Sequence, residues 1–167
     1  MKREVVHTIR HLGRTFNQEQ WSEYCAACRQ SDENRIRTTI GKYIWNDCDI
    51  CLNPETWTIS VKDGAYGYWV CIELAECGNG VFAFGMRCNT GTSSSSFGVS
   101  WADKADIKLW NKGFESEKEC KRYALRYALT RVIDTEGGKM VMRLREEIQK
   151  ELHKLERPQY VQLSLFD

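Results

Sequence analysis

The sequence predicts an α+β protein: a helix, a four-stranded antiparallel meander, a covering helix, then a C-terminal helix and a tail. Three observations carry this. Apolar residues recur every three or four positions towards both ends of the chain. They alternate every second position between Trp57 and Trp101, and Gly- and Asn-containing turns fall where the alternation breaks. The 167 residues suffice for one domain with appendages, burying roughly 70% of the unfolded surface. The expected organisation is an α+β domain over 1–135, a helix over 139–157 and a tail over 158–167.

The first helix is expected over 17–28. Asn17 and Gln20 form a capping-box variant, and Trp21, Tyr24, Cys25 and Cys28 share one face. Residues 31–55 read as mixed, with a polar loop and a turn at Pro54. Trp57, Ile59 and Val61 then alternate up to the turn Asp63-Gly64. Tyr68, Val70, Ile72 and Leu74 form the second strand, up to Gly78-Asn79-Gly80. The third carries Phe82, Phe84, Met86 and Cys88. A loose loop follows over 89–96, and Phe97, Val99 and Trp101 make the fourth. Such a meander has one apolar face. Ser116 caps a helix to Ile133 whose stripe of Cys120, Ala124, Leu125, Ala128, Leu129 and Val132 suits it to cover that face. Beyond the break at Thr135–Gly138, a second helical pattern from Lys139 to Arg157 aligns Val141, Leu144, Ile148, Leu152 and Leu155, and Pro158 ends it.

A net charge of +1 leaves only local patches to speak about nucleic acid. The basic start has no apolar run behind it, and the longest apolar stretch, near Tyr68–Ile72, is too short to cross a bilayer. The expectation is a soluble cytoplasmic protein with no membrane partner, its eight cysteines kept as thiols.

Cys25-x2-Cys28 and Cys48-x2-Cys51 have the spacing of a four-thiolate zinc site. The competing reading is that Cys25 and Cys28, on the Trp21/Tyr24 face, pack as small apolar residues. Core packing is favoured, and no cofactor is expected, zinc being the one candidate. The segment Asp47-Cys-Asp-Ile-Cys-Leu52 resembles the CxICL of RING fingers, without their His-bearing remainder. His7 and His11 have metal-sharing spacing only if helical. Asp47, Asp49 and Glu55 read as a solvated loop. The chain holds no phosphate-binding loop, nucleophile elbow, HExxH or dinucleotide fingerprint, and nothing in it points to catalysis.

Charge is uneven. Residues 104–131 hold eight Lys and Arg against four acids. Lys118, Lys121, Arg122 and Arg126 are the candidate nucleic-acid contacts, the first three near a helix start that itself favours anions. The run Ser116–Leu129 resembles the last helix of double-stranded-RNA-binding domains, S-K-K-E-A-K-x-x-A-A-x-x-A-L. That resemblance implies phosphate gripping by Lys118 and Lys121. The departures are Glu117 in place of a lysine, about a dozen extra residues before the helix, and one more strand. The pattern Phe114-x-Ser116-x-x-Glu119-x4-Ala124-Leu125-x-x-Ala128-Leu129, following a sheet, resembles small proteins of phages and mobile elements of Bacteroidota, which bring no chemistry to transfer.

Gln162-Leu163-Ser164-Leu165-Phe166 matches the bacterial sliding-clamp-binding pentapeptide, Q-L-[S/D]-L-F, at every position. The resemblance implies a non-enzymatic accessory protein of DNA replication or repair, docked on the clamp, with DNA or RNA as a further partner. Leu163, Leu165 and Phe166 suit apolar pockets, and the Gln162 amide fixes register. Affinity for one site is expected on the order of micromolar, because an extended peptide loses entropy on binding. The alternative is a small protein-interaction or host-antagonist module in which the tail packs on the body.

Overall fold

The computed structural model describes residues 6–30, 37–64, 66–91, 93–133 and 138–157. The element order is β1 (Val6–Ile9), β2 (Arg14–Asn17), α1 (Gln18–Gln30), β3 (Thr38–Ile40), β4 (Tyr43–Trp45), β5 (Glu55–Asp63), β6 (Tyr66–Glu76), β7 (Phe82–Asn89), β8 (Ser94–Phe97), α2 (Glu117–Ile133) and α3 (Lys139–Glu156). The architecture is α+β. No helix among the described residues is long and apolar enough to cross a membrane.

Strands β5 to β8 form the expected antiparallel meander, in order β5-β6-β7-β8. Trp57 faces Ile72, Ile72 faces Met86, and Met86 faces Phe97 across the three ladders. One face, with Ile59, Val61, Val70, Ile72, Leu74, Phe84 and Met86, is covered by the two long helices. Period-two alternation places these side chains on one side, and the helices close over them. From α2 come Cys120, Ala124, Leu125, Ala128 and Val132; from α3 come Val141, Leu144, Ile148 and Leu152. Both stripes follow their sequence pattern, with Leu129 and Leu155 half-buried at the margin. Small residues on α2 allow close approach to the sheet. The Ser116 hydroxyl accepts from the Glu119 N–H at 3.2 Å, as an N-cap does.

The fourth strand lies earlier than its apolar alternation suggests. It spans Ser94–Phe97, so it keeps the expected Phe97 but takes its other three residues from the segment read as a loop. Ladder hydrogen bonds to β7 specify this edge strand, and its serines have no apolar signature. Val99 and Trp101 instead belong to a second cluster with Tyr43, Trp45, Ala75, Cys77 and Ala83. There Trp45 and Trp101 meet edge to face, with ring centroids 4.9 Å apart. Gly85 permits this crossing. A Cβ there would come within 2.7 Å of the Phe97 carbonyl oxygen and the Val99 nitrogen.

Within the segment read as mixed, residues 38–45 form the β3–β4 hairpin, and residues 6–17 form a second hairpin, β1–β2. Both are only three or four residues per strand, too short for periodicity to register. His7 therefore lies in β1, stacked on Trp21 at 4.8 Å, and not on a helix with His11. The capping box forms as expected: Asn17 N–H donates to Gln20 Oε1 at 3.0 Å, and Gln20 N–H to Asn17 Oδ1 at 2.9 Å.

Candidate functional site

Between β8 and α2 the chain makes a long excursion, residues 102–114, that is pinned at several points. Asn79 Nδ2 donates to the carbonyls of Ala102 (3.2 Å) and Asp103 (2.9 Å). Asp106 Oδ1 accepts from the Lys108 N–H at 2.9 Å, and Asp106 pairs with Gly113. Asn111 Nδ2 donates to the Trp101 carbonyl at 2.8 Å. Phe114 exchanges backbone bonds with Phe82 and enters the core. Gly113 is required for this closure, since a Cβ would stand 2.4 Å from the Lys104 carbonyl oxygen.

The loop thus fixed turns three apolar side chains outward. Ile107 is 53% exposed, Leu109 42% and Trp110 87%. Beside them lies a cleft of about 400 Å³, walled by Trp110, Asn111 and Lys112 of the loop and by Phe84, Phe97 and Tyr127. The floor is a set of aromatic contacts: Phe84–Phe97 at 5.7 Å, Phe84–Tyr127 at 5.9 Å and Phe97–Tyr127 at 5.6 Å, all edge to face.

Polar groups at the cleft are few: Lys112 is its one charged lining residue among the described residues, beside Ser100 and Asn111. Lys112 Nζ donates to the Tyr123 hydroxyl at 2.5 Å and stands 4.9 Å from that ring's centroid. The Arg131 guanidinium lies over Tyr127 at 5.6 Å. Asn111 Oδ1 is buried without a hydrogen-bond partner among the described residues. Among the described residues, no carboxylate and no nucleophile–base pair lines the cleft. Such a lining suits binding of a flat, partly anionic group.

The four candidate nucleic-acid contacts sit together on α2, though three are already engaged. Lys121 pairs with Glu117 one turn before it. Arg126 bonds Glu156 at 2.8 Å, and Arg122 lies 3.9 Å from the same carboxylate. Lys118 has no carboxylate partner among the described residues. Glu117, which replaces the lysine of the double-stranded-RNA-binding pattern, therefore takes up a neighbouring cation as well.

The cysteine pairs meet different surroundings. Cys25 is half-buried in α1, and the Cys28 side chain lies outside the described residues. Cys48 is exposed and Cys51 buried, where desolvation pushes its thiol pKa up. The turn between them is organised by Asn46, whose Oδ1 accepts from the N–H groups of Cys48 (2.9 Å) and Ile50 (3.0 Å). The turn's last residue is tied to the neighbouring chain, Cys51 N–H donating to the Val99 carbonyl at 3.0 Å. Among the described residues, no three His, Cys, Asp or Glu side chains converge on a metal-sized point. Of the three acids read as a solvated loop, Asp47 is instead buried at 3% exposure, and the other two are separately engaged. Asp49 Oδ2 accepts from the Arg10 N–H at 3.3 Å, while Glu55 pairs with Lys42, whose hydrogen bond holds its pKa below the ordinary value.

The tail residues Gln162, Leu163, Ser164, Leu165 and Phe166 lie outside the described residues. Comparison with protein-family models, with curated proteins and with solved structures returned no match. The cleft was not foreseen from sequence. The available signal was Lys104-x3-Lys108-x3-Lys112 with Trp110 set among the lysines.

Proposed function

We propose that this protein is a non-enzymatic accessory factor of DNA replication or repair that docks on the bacterial sliding clamp through Gln162–Phe166. The observation carrying this reading is the full match of QLSLF to the clamp-binding pentapeptide, placed beyond α3 and the helix-ending Pro158. Three apolar side chains and one amide in five residues supply pocket anchors and a register contact. The helix before the segment is anchored through Leu144, Ile148 and Leu152, so a docked tail is joined to the body through a packed element. The body's contact with nucleic acid through α2 is weak in this reading, because Glu117 and Glu156 partner three of the four cations.

A binding measurement between purified clamp and the full chain tests the docking. A dissociation constant on the order of micromolar is expected. Phe166→Ala and deletion of 162–167 should each abolish it. No binding by the intact chain overturns the proposal. A large stability loss on deletion, without clamp binding, identifies the tail as part of the body.

A further inference from the structure

We propose that the cleft beneath Trp110 holds an unpaired base and its adjoining phosphate, and so binds single-stranded nucleic acid. The proposal rests on the reading that the body contacts nucleic acid, but it places the contact on a different surface from the α2 cations.

Trp110 is the first reason. A tryptophan is one of the largest apolar side chains to leave in water, yet this one is 87% exposed. Its position is built, not accidental. Asn111 is tied to the Trp101 carbonyl, Asp106 pairs with Gly113, and Phe114 is held by Phe82. The backbone that carries the indole is thus tied down on both sides, which sets where a stacking platform stands. A base offers it a π-face only when stacked neighbouring base pairs do not already cover that face, which selects single strands over duplex.

Asn111 is the second. Its Nδ2 donates to a backbone carbonyl, an acceptor, and this fixes which end of the amide is the oxygen. That oxygen is buried without a partner among the described residues. A buried acceptor without a donor is destabilising. The exocyclic amino group of adenine, cytosine or guanine supplies the missing donor.

Charge is the third. Lys112 has a neutral phenol as its partner, and among the described residues no carboxylate lines the cleft. Both acids of the loop are occupied elsewhere. Asp103 pairs with Arg10 at 3.4 Å and accepts from the Trp101 indole N–H, while Asp106 caps its own turn. Lys104 and Lys108, on the same loop, have no carboxylate partner among the described residues. Lys108 lines a neighbouring hollow with Asp106, Glu115 and Glu119, so Lys112 is the charge that the cleft itself presents to a phosphate.

The experiment titrates the full chain with fluorescently labelled single strands of about twelve nucleotides, as homopolymers of dA, dC and dT, and with a duplex of equal length. Binding of the single strand should quench Trp emission and weaken with salt. Trp110→Ala should weaken it about tenfold or more, the range of one lost base stack, and Trp110→Phe should restore part of the loss. At 87% exposure, Trp110 can be replaced without disturbing the fold. Lys112→Met should weaken binding and flatten its salt dependence, and dA and dC should bind better than dT. Absence of single-strand binding overturns the proposal, as does binding that Trp110→Ala leaves unchanged. So does a Trp110→Ala variant whose only defect is in capturing the clamp protein, which would make the patch a protein contact. Clamp binding by the same preparation separates the two failures. Docking without strand binding removes the cleft alone, and Trp110-dependent strand binding without docking removes the tail reading alone.

Discussion

Arg126 of α2 and Glu156 of α3 are joined side chain to side chain at 2.8 Å, with Arg122 at 3.9 Å from the same carboxylate. One acid in the last turn of α3 thereby holds two of the cations that the sequence marks for nucleic acid. The pairing is partly exposed, so its worth to stability is under about 1 kcal/mol. Its effect on charge is larger in proportion. Glu156→Gln should leave denaturant unfolding almost unchanged while tightening duplex binding. Freed to contact phosphates, the two arginines should steepen the logarithmic salt dependence by up to about two. Paired titrations of the parent and the variant at several salt concentrations check this.

Leu144 is fully buried between the sheet and α2, whereas Met142, two residues earlier on the same helix, is half exposed. Leu144→Ala should cost about 2–5 kcal/mol through lost transfer energy and a residual cavity. Met142→Ala should lie within about 0.5 kcal/mol of the parent. Equal effects in urea unfolding would show that α3 is not packed as described.

Asn17 and Gln20 exchange side chain and backbone bonds at the start of α1. Asn17→Ala should weaken that helix by about 1 kcal/mol. The loss should appear in amide exchange of α1, and the meander amides should keep their protection.

Cys77 and Cys120 are buried, and desolvation, the foremost cause in both, raises their pKa values above the ordinary 9.0, Cys77 to about 12. The sign follows from proton counting. Above pH 9 the unfolded chain releases these protons while the folded chain keeps them, so stability falls with rising pH. For Cys77 the fall continues to about pH 12, at most about 1.4 kcal/mol per pH unit. Cys77→Ala should flatten the alkaline limb of a stability–pH curve. In the native state a thiol reagent should modify exposed Cys48 quickly and reach Cys77 and Cys120 only on unfolding.

The parts of the fold that sequence revealed are those where one periodicity governs many residues. The α2 and α3 stripes, the Asn17 capping box and the strands β5 to β7 all follow from spacing alone. The two hairpins escaped because Thr38–Ile40 and Tyr43–Trp45 offer three residues each. Strand β8 is expected from sequence but placed to start at Phe97 instead of Ser94, because its serines pair with Arg87–Asn89 without carrying an apolar pattern. The cleft escaped for a different reason: Phe97, Trp110 and Tyr127 come from an edge strand, a loop and a helix, and only the tertiary structure brings them together. Charge counting did locate lysines 104, 108 and 112, but it gave no weight to the tryptophan among them. The cysteine spacing, conversely, looked like a ligand set, while the turn itself is organised by the Asn46 amide.

Helix α3 ends at Glu156, and Arg157 leaves it with extended backbone angles, φ −62° and ψ 130°. Only residues 158–161 separate that point from Gln162. At roughly 3.3–3.6 Å per residue, even a taut chain spans no more than about 18 Å from Arg157 to Gln162. The leash is shorter than a small domain is wide. On the proposed docking, a partner gripping Gln162 would therefore hold this body within that distance of its own surface. Lengthening that leash with a flexible insert after Arg157 would leave the grip intact and dissolve the positioning.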